Sequence, residues 1–478
     1  VGVAPATALV ARARVKKIAS IGARLDKLKE IYQMRRLFFA PLASGVAVAL
    51  LATGAAARQE TIARESVAEA PLSRPTSSNP LPATADLYQS YVASDKMPGI
   101  VGAFGIGNRP TTFVSSGKIS YDAGAGTADP DSLWRVYSMT KPVTGIAAMI
   151  LVEEGKLDLD APIGNILPAF KNMTVRLSED SMDSRPAARP ITVRHLLTHT
   201  SGLGYNIVTR GPLLEQYNQK GISPLAVNSA SEVASRKTRP TSLQEFADRV
   251  ATLPLIADPG TQWSYSMGLD VLGAVIEKAS GMPFDAFVQA RIFDPLKMRS
   301  SYWTVPAADV SRFATNYMIM GDKHSPLDPA ATSVFLSPPS FPYGGAGLVM
   351  SARDYDRFLH MLQNYGELDG VRVMKEATAK LAMSDLLPAG VEFTSTEGPA
   401  GAKLGFGAGG FVVKESADPM IAGAYGWGGA AGTAAWVNPV SKVRGTIMVN
   451  YFPGGKWPIR DETLKALTSD MARYGMKR

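Results

Sequence analysis

The sequence predicts an α+β fold in which one antiparallel sheet is built from both ends of the globular region, with a large helical insertion between them. Strand-like runs occur early, at Gly99–Gly105 and Thr111–Val114, around the turn Gly107-Asn108-Arg109-Pro110. They return late, at Gly410–Val413, Ala434–Val437 and Gly445–Tyr451, spaced like neighbouring antiparallel strands. Between about 145 and 340, helical periodicity and long loops dominate. Two sets of strands held apart by a helical middle imply one sheet drawn from 84–144 and 341–478, and a mainly helical domain from 145–340.

The elements follow in order. Met34-Arg35-Arg36, the apolar run from Leu37 to Ala52 and the ending Ala55-Ala56-Ala57 have the basic, apolar and small-residue parts of an export signal, so residues 34–57 read as a leader cleaved near Ala57. Met34 then reads as the start, with 1–33 an over-extension, and a periplasmic or secreted location follows. A leader left uncleaved would be the one route to a membrane. Residues 58–83 are polar and proline-rich and read as a linker, with a short helix near 84–95. The next helix carries apolar residues at 143, 146, 147, 150 and 151, with Gly155 placed for a left-handed end. Pro142 fits only in a first turn, which puts Ser138 near the N-cap and Lys141 in that turn. Thr192 and Ser266 are spaced as caps of two later helices, and Asp461–Tyr474 reads as a terminal helix.

Composition narrows the function. With 46% apolar and 19% charged residues, the chain can bury a large core. The net charge of +8 is concentrated in residues 1–57, which hold nine Lys/Arg against Asp26 and Glu30, so the remainder carries only +1 and no nucleic-acid partner is expected. The absence of cysteine excludes thiol catalysis and cysteine-held metal.

The chemistry starts at Ser138-Met139-Thr140-Lys141. A serine at a helix mouth, with an amine three residues on, can be made nucleophilic without histidine. Ser115-Ser116-Gly117-Lys118 fits the same four-residue pattern but has no helix behind it. Tyr265 precedes a helix, where its hydroxyl can face a cleft, and Gly426-Trp427-Gly428-Gly429-Ala430-Ala431-Gly432 offers a strand edge that a ligand can approach. Other motifs lack their context. His195 and His199 are four apart without a metalloprotease glutamate and read as structural. Gly405-x-Gly407-x-x-Gly410 runs into a strand instead of a helix, and no Gly-x-Ser-x-Gly occurs. No cofactor or metal is expected.

Together, Ser138-x-x-Lys141, Tyr265 and Trp427-Gly428-Gly429 resemble the serine beta-lactamase and penicillin-binding-protein superfamily, closest to class C beta-lactamases and family VIII carboxylesterases. The resemblance runs over about 84–475 and extends to Ile191–Leu203 and Tyr343–Leu348. It implies a beta-lactamase/transpeptidase-like fold and an acyl-enzyme reaction. Ser138 would be the nucleophile, Lys141 and Tyr265 its proton-transfer partners, and the N–H groups of Ser138 and Ala430 the oxyanion hole. Tyrosine and lysine both have reference pKa values of about 10, so either serves as a base near neutral pH only where its surroundings favour the deprotonated form. Which one does so stays open, and the two can titrate as a unit.

Two departures from the beta-lactamase pattern stand out. Met267 replaces the asparagine of Tyr-x-Asn, and Trp427 replaces the lysine of Lys-Thr-Gly. Both remove polar contacts suited to an anionic, amide-bearing substrate and leave an apolar rim with Trp427, Gly428, Gly429 and Met267 as substrate-binding positions. Small neutral esters are therefore the expected substrates. Hydrolysis of beta-lactams or D-Ala-D-Ala peptides is the neighbouring reading, and a non-catalytic ligand-binding envelope protein the more distant one.

Overall fold

The structure is a computed structural model that describes residues 80–473 apart from 224–225, 394–397, 400 and 419–420. The leader expected at 34–57 and the linker as far as residue 79 lie outside the described residues. In chain order the elements that matter for the site are α1 (Pro82–Ala93), β1 (Gly99–Ile106), β2 (Thr112–Gly117), β3 (Leu133–Arg135), α2 (Thr140–Glu153), α3 (Val193–Leu197) and α4 (Gly268–Ser280). They continue as β4 (Ser301–Tyr302), β5 (Val349–Ser351), α5 (Ala352–Gln363), β6 (Lys403–Phe406), β7 (Phe411–Glu415), β8 (Tyr425–Gly428), β9 (Ala434–Asn438), β10 (Val443–Met448) and α6 (Ile459–Arg473).

The sheet is seven-stranded in the order β6-β7-β8-β9-β10-β1-β2. Every neighbouring pair is antiparallel, and β1 joins β10 with Val101 opposite Met448. The sheet is thus built from both ends of the globular region. A second antiparallel sheet, β3-β5-β4, lies beside it and leads straight into the turn before α2.

Helix α2 is buried on all sides from Thr140 to Leu151, beyond the single apolar face that the periodicity predicts. Gly145 lets it pack this closely, since a Cβ there would stand 2.2 Å from Ala408 O. Gly155, at φ +70°, ends it as expected. Its start falls where Pro142 places it, with Lys141 in the first turn. A 3₁₀ turn, Tyr137–Met139, precedes the helix, so Met139 holds the N-cap position and Ser138 sits one residue before it.

Two further differences have identifiable causes. Helix α1 begins at Pro82, inside the expected linker, because Asp470 of α6 accepts hydrogen bonds from Ala83 N (2.8 Å) and Thr84 N (3.0 Å) and caps it from the far end of the chain. The strand expected over Gly445–Tyr451 runs Val443–Met448, and Tyr451–Phe452 forms a separate short strand beside Asn316–Met320, because the Asn450 side chain between them turns to Arg135, accepting from its N–H at 3.0 Å and donating to its carbonyl at 3.1 Å.

Arg135 ties this junction together. Its fully buried guanidinium donates to Asp328 Oδ2 through Nε at 2.7 Å and is paired with the same oxygen through Nη2 at 2.6 Å. Removing one member of such a pair leaves an uncompensated charge in the interior. Asp328→Ala is therefore expected to cost about 3–5 kcal/mol of unfolding free energy, measurable by urea titration. A cost near zero would show that the pair does not hold the turn in front of Ser138.

Candidate active site

The position of Ser138 begins with backbone geometry. Tyr137 has φ +41°, a conformation that non-glycine residues seldom adopt, and it is held there by burial of its ring against Phe335 and Phe452 and by a hydrogen bond from Asn316 Nδ2 at 3.1 Å. This turn leaves Ser138 partly exposed between buried neighbours. Lys141, one turn on, is fully buried.

Three expected residues converge. Lys141 Nζ donates to Ser138 Oγ at 3.2 Å, and a 2.8 Å hydrogen bond joins Tyr265 Oη to the same oxygen. Lys141 Nζ also donates to Gly345 O at 2.7 Å and lies 4.7 Å from the centre of the Tyr265 ring. The hydroxyl therefore has two possible proton partners in contact with it, as nucleophile activation requires.

The strand edge expected to hold substrate arrives through a close contact. A Cβ on Gly429 would stand 2.4 Å from Val136 O, so only glycine lets the end of β8 pack on the nucleophile's turn. Among the described residues, the backbone N–H groups of Ser138 and Ala430 have no hydrogen-bond acceptor. Ala430 is exposed and Gly428 and Gly429 are half-buried, so this edge is open to a ligand.

The apolar rim is placed differently from the sequence expectation. Trp427 is only 4% exposed and forms an inner wall, 5.9 Å from the Tyr265 ring and 5.2 Å from Phe406. Trp263 and Phe393 complete that wall. Met267, 2% exposed, belongs to the floor, because its place at the start of α4 turns it towards Tyr205 and Asp270. Ser266, expected as the cap of α4, is the residue before the N-cap, although its Oγ accepts from Gly268 N at 3.2 Å.

Sequence reasoning did not single out the acid beneath Lys141. Asp270, in the first turn of α4, is buried and accepts from Gly345 N at 2.8 Å. A Cβ on Gly345 would come within 2.6 Å of Asp270 Oδ2, so glycine is required where this segment bridges the acid and the amine. Burial pushes the Asp270 carboxyl up from its ordinary range, with the Lys141 charge opposing. The available signal was an acid at a core-facing position of an otherwise apolar helix start.

The two histidines have separate structural tasks. Thr192 caps α3 as expected, and His195 completes the box by accepting from Thr192 N at 3.2 Å. The His199 ring lies tilted against the Tyr265 ring at 4.8 Å, and its Nδ1 accepts from Ser266 N at 3.1 Å, which places the proton on Nε2. Its carbonyl accepts from Ser264 N at 2.9 Å, so His199 braces the loop that carries Tyr265 on both sides. The glycine motif at 405–410 is a tight connection between β6 and β7, with Gly407 N donating to Gly410 O.

A partly open serine joined to a buried lysine and a tyrosine, beside an antiparallel sheet with an exposed strand edge, defines a serine hydrolase. The comparisons agree. A beta-lactamase family model matches residues 84–470, and the chain belongs to that family. It is 34% identical over 349 residues to esterase EstB of Burkholderia gladioli, covering 67% of this chain and 80% of that one. It is 30% identical over 333 residues to a lovastatin esterase of Penicillium rubens, covering 64% of this chain and 76% of the relative. Among solved structures, the fold is similar to that of EstCE1, a hydrolase with promiscuous acyltransferase activity, at TM-score 0.66 and 24% identity, covering 81% of this chain and 98% of the other.

Burial and the Lys141 charge pull His199 well below the usual histidine range. The unfolded chain takes up a proton as pH falls through about 6.5 while the folded site does not, so this contribution is present at neutral pH and fades in acid. His199→Asn, whose side chain tolerates a left-handed backbone, is expected to flatten the fall in urea-unfolding free energy below about pH 6.5. An unchanged slope would show that the imidazole is not held neutral.

Proposed function

We propose that this chain hydrolyses small, neutral carboxylic esters through an acyl-Ser138 intermediate. The reading rests on one observation, the convergence of Lys141 Nζ and Tyr265 Oη on Ser138 Oγ. The Ser138 proton passes to the Lys141/Tyr265 pair as Oγ bonds to the ester carbonyl carbon, and the carbonyl oxygen takes up the electron pair. The N–H groups of Ser138 and Ala430 receive that oxyanion. Collapse breaks the bond to the alcohol, which leaves with the proton returned by the pair. Water then enters and bonds to the acyl carbon as its proton passes to the same pair; collapse breaks the carbon–Oγ bond, the pair returns the proton to Ser138 Oγ, and the acid is released. A placed base contributes about 10²–10⁴ in rate and an oxyanion donor about 10²–10³.

Esters are favoured over beta-lactams by the chemistry of the wall. Trp427 offers no cation for a carboxylate, and Met267 offers no amide hydrogen bond for a peptide-like substrate. The esterase names of two relatives support the same substrate class.

Activity on p-nitrophenyl butyrate, compared with a chromogenic cephalosporin, tests this assignment. The ester should be turned over and the cephalosporin spared. Ser138→Ala should reduce ester turnover to background, and Tyr265→Phe should lower kcat by about 10²–10⁴ without loss of folded structure by circular dichroism. Ester turnover that survives Ser138→Ala would refute the nucleophile, and a preference for the cephalosporin would move the reading to beta-lactam hydrolysis.

A further inference from the structure

A wide cavity lies between the sheet and helix α6, and Ser138 is not among its lining residues. It has a volume of about 990 Å³, at the upper end of the roughly 300–1,000 Å³ usual for small-molecule sites.

The cavity has a specific cause in sequence and register. Gly426 pairs with Trp436, Trp436 with Gly445, and Gly445 with Phe104, so two glycines alternate with two aromatics in one row across β8, β9, β10 and β1. The Trp436 indole lies over Gly445, where a Cβ would be 2.2 Å from the ring, and the Phe104 ring follows at 6.3 Å. The row is therefore an apolar floor. Helix α6 does not close down on it, because polar contacts to α1 hold it: Asp470 at the α1 N-terminus and Glu462, which accepts from Tyr91 Oη at 2.6 Å. Leu464 and Leu467 of α6 face the cavity from the other side.

The β1–β2 connection and α6 each bring one cation to the lining. Arg109 and Lys465 both line the cavity and are exposed, and among the described residues neither forms an ion pair. Arg444, also on the lining, is already paired with Asp356 at 2.8 Å. The acid on the lining, Asp418, belongs to the β7–β8 connection, with β9 and β10 between it and Arg109.

An apolar trough whose lining carries two cations without ion-pair partners among the described residues matches an amphipathic anion. We propose that this cavity binds a long-chain carboxylate, a free fatty acid, with its head at Arg109 and Lys465 and its chain along Phe104, Trp436 and Leu467. The site is separate from the catalytic serine and does not depend on the esterase assignment.

Titration of the full chain with the fluorescent long-chain carboxylate cis-parinaric acid tests this. Saturable one-to-one binding is expected, equal in the wild type and in Ser138→Ala. Leu467→Glu, which puts a carboxylate into the trough, should weaken binding by about tenfold or more. Arg109→Ala with Lys465→Ala should weaken it several-fold while leaving affinity for the corresponding long-chain alcohol unchanged. Retained p-nitrophenyl ester turnover and circular dichroism would show that these variants fold. Absence of saturable binding would overturn the proposal, as would binding displaced by a short ester at the serine. So would binding that ignores Leu467→Glu, or a wild-type dimer by sedimentation that Leu467→Glu converts to monomer, which would mean that a second copy fills the trough.

Discussion

The buried side-chain nitrogen of Lys141 meets two oxygens, Gly345 O and Ser138 Oγ, and lies against the face of the Tyr265 ring. Those contacts tie together the first turn of α2, the glycine segment at 344–347 and the loop before α4, which are far apart in sequence. A charge taken from water is tolerated only where hydrogen bonds and an opposite charge replace its hydration. Here the carbonyl of Gly345 and the carboxyl of Asp270, bound to the N–H of the same residue, supply that replacement. The rest of the site depends on this arrangement, because the amine can reach Ser138 only while the segment at Gly345 stays packed on α4.

The surroundings divide into a polar floor and an apolar wall. Asp270, Tyr205 and Lys141 form the first, and Trp263, Phe393, Phe406 and Trp427 the second. His199 stands between them, tilted against Tyr265 and too deeply buried to carry charge easily. In such a site electrostatic interactions are strong and reorganisation is small, which favours groups already aimed at the reacting oxygen. The edge at Gly428–Ala430 opens beside this fixed constellation.

Much of this was legible in the sequence because local rules and the family motifs point the same way. Pro142 confines Lys141 to a first turn, Gly155 ends the helix, Thr192 caps α3, and Ser138, Lys141 and Tyr265 carry a pattern that the fold brings together. What was not legible depends on tertiary contacts. Tyr137 takes a left-handed backbone because Phe335, Phe452 and Asn316 hold its side chain, and that moves Ser138 ahead of the N-cap. Asp470 extends α1 from almost 400 residues away, and Asn450 breaks the last strand by bonding to Arg135. Met267 reads as rim in a linear motif but becomes floor once α4 turns it inward. Asp270 looks like one acid among many until Gly345 brings Lys141 above it.

The central claim is that Ser138 carries the acyl group during turnover. Rapid quenching of the enzyme with an ester substrate, followed by proteolysis and peptide mass analysis, tests it most directly. The account predicts the acyl mass on the peptide that contains Ser138, localised to that residue by fragmentation. An acyl group on any other residue during turnover, or steady turnover in which no acyl-enzyme can be trapped at any quench time, would contradict it.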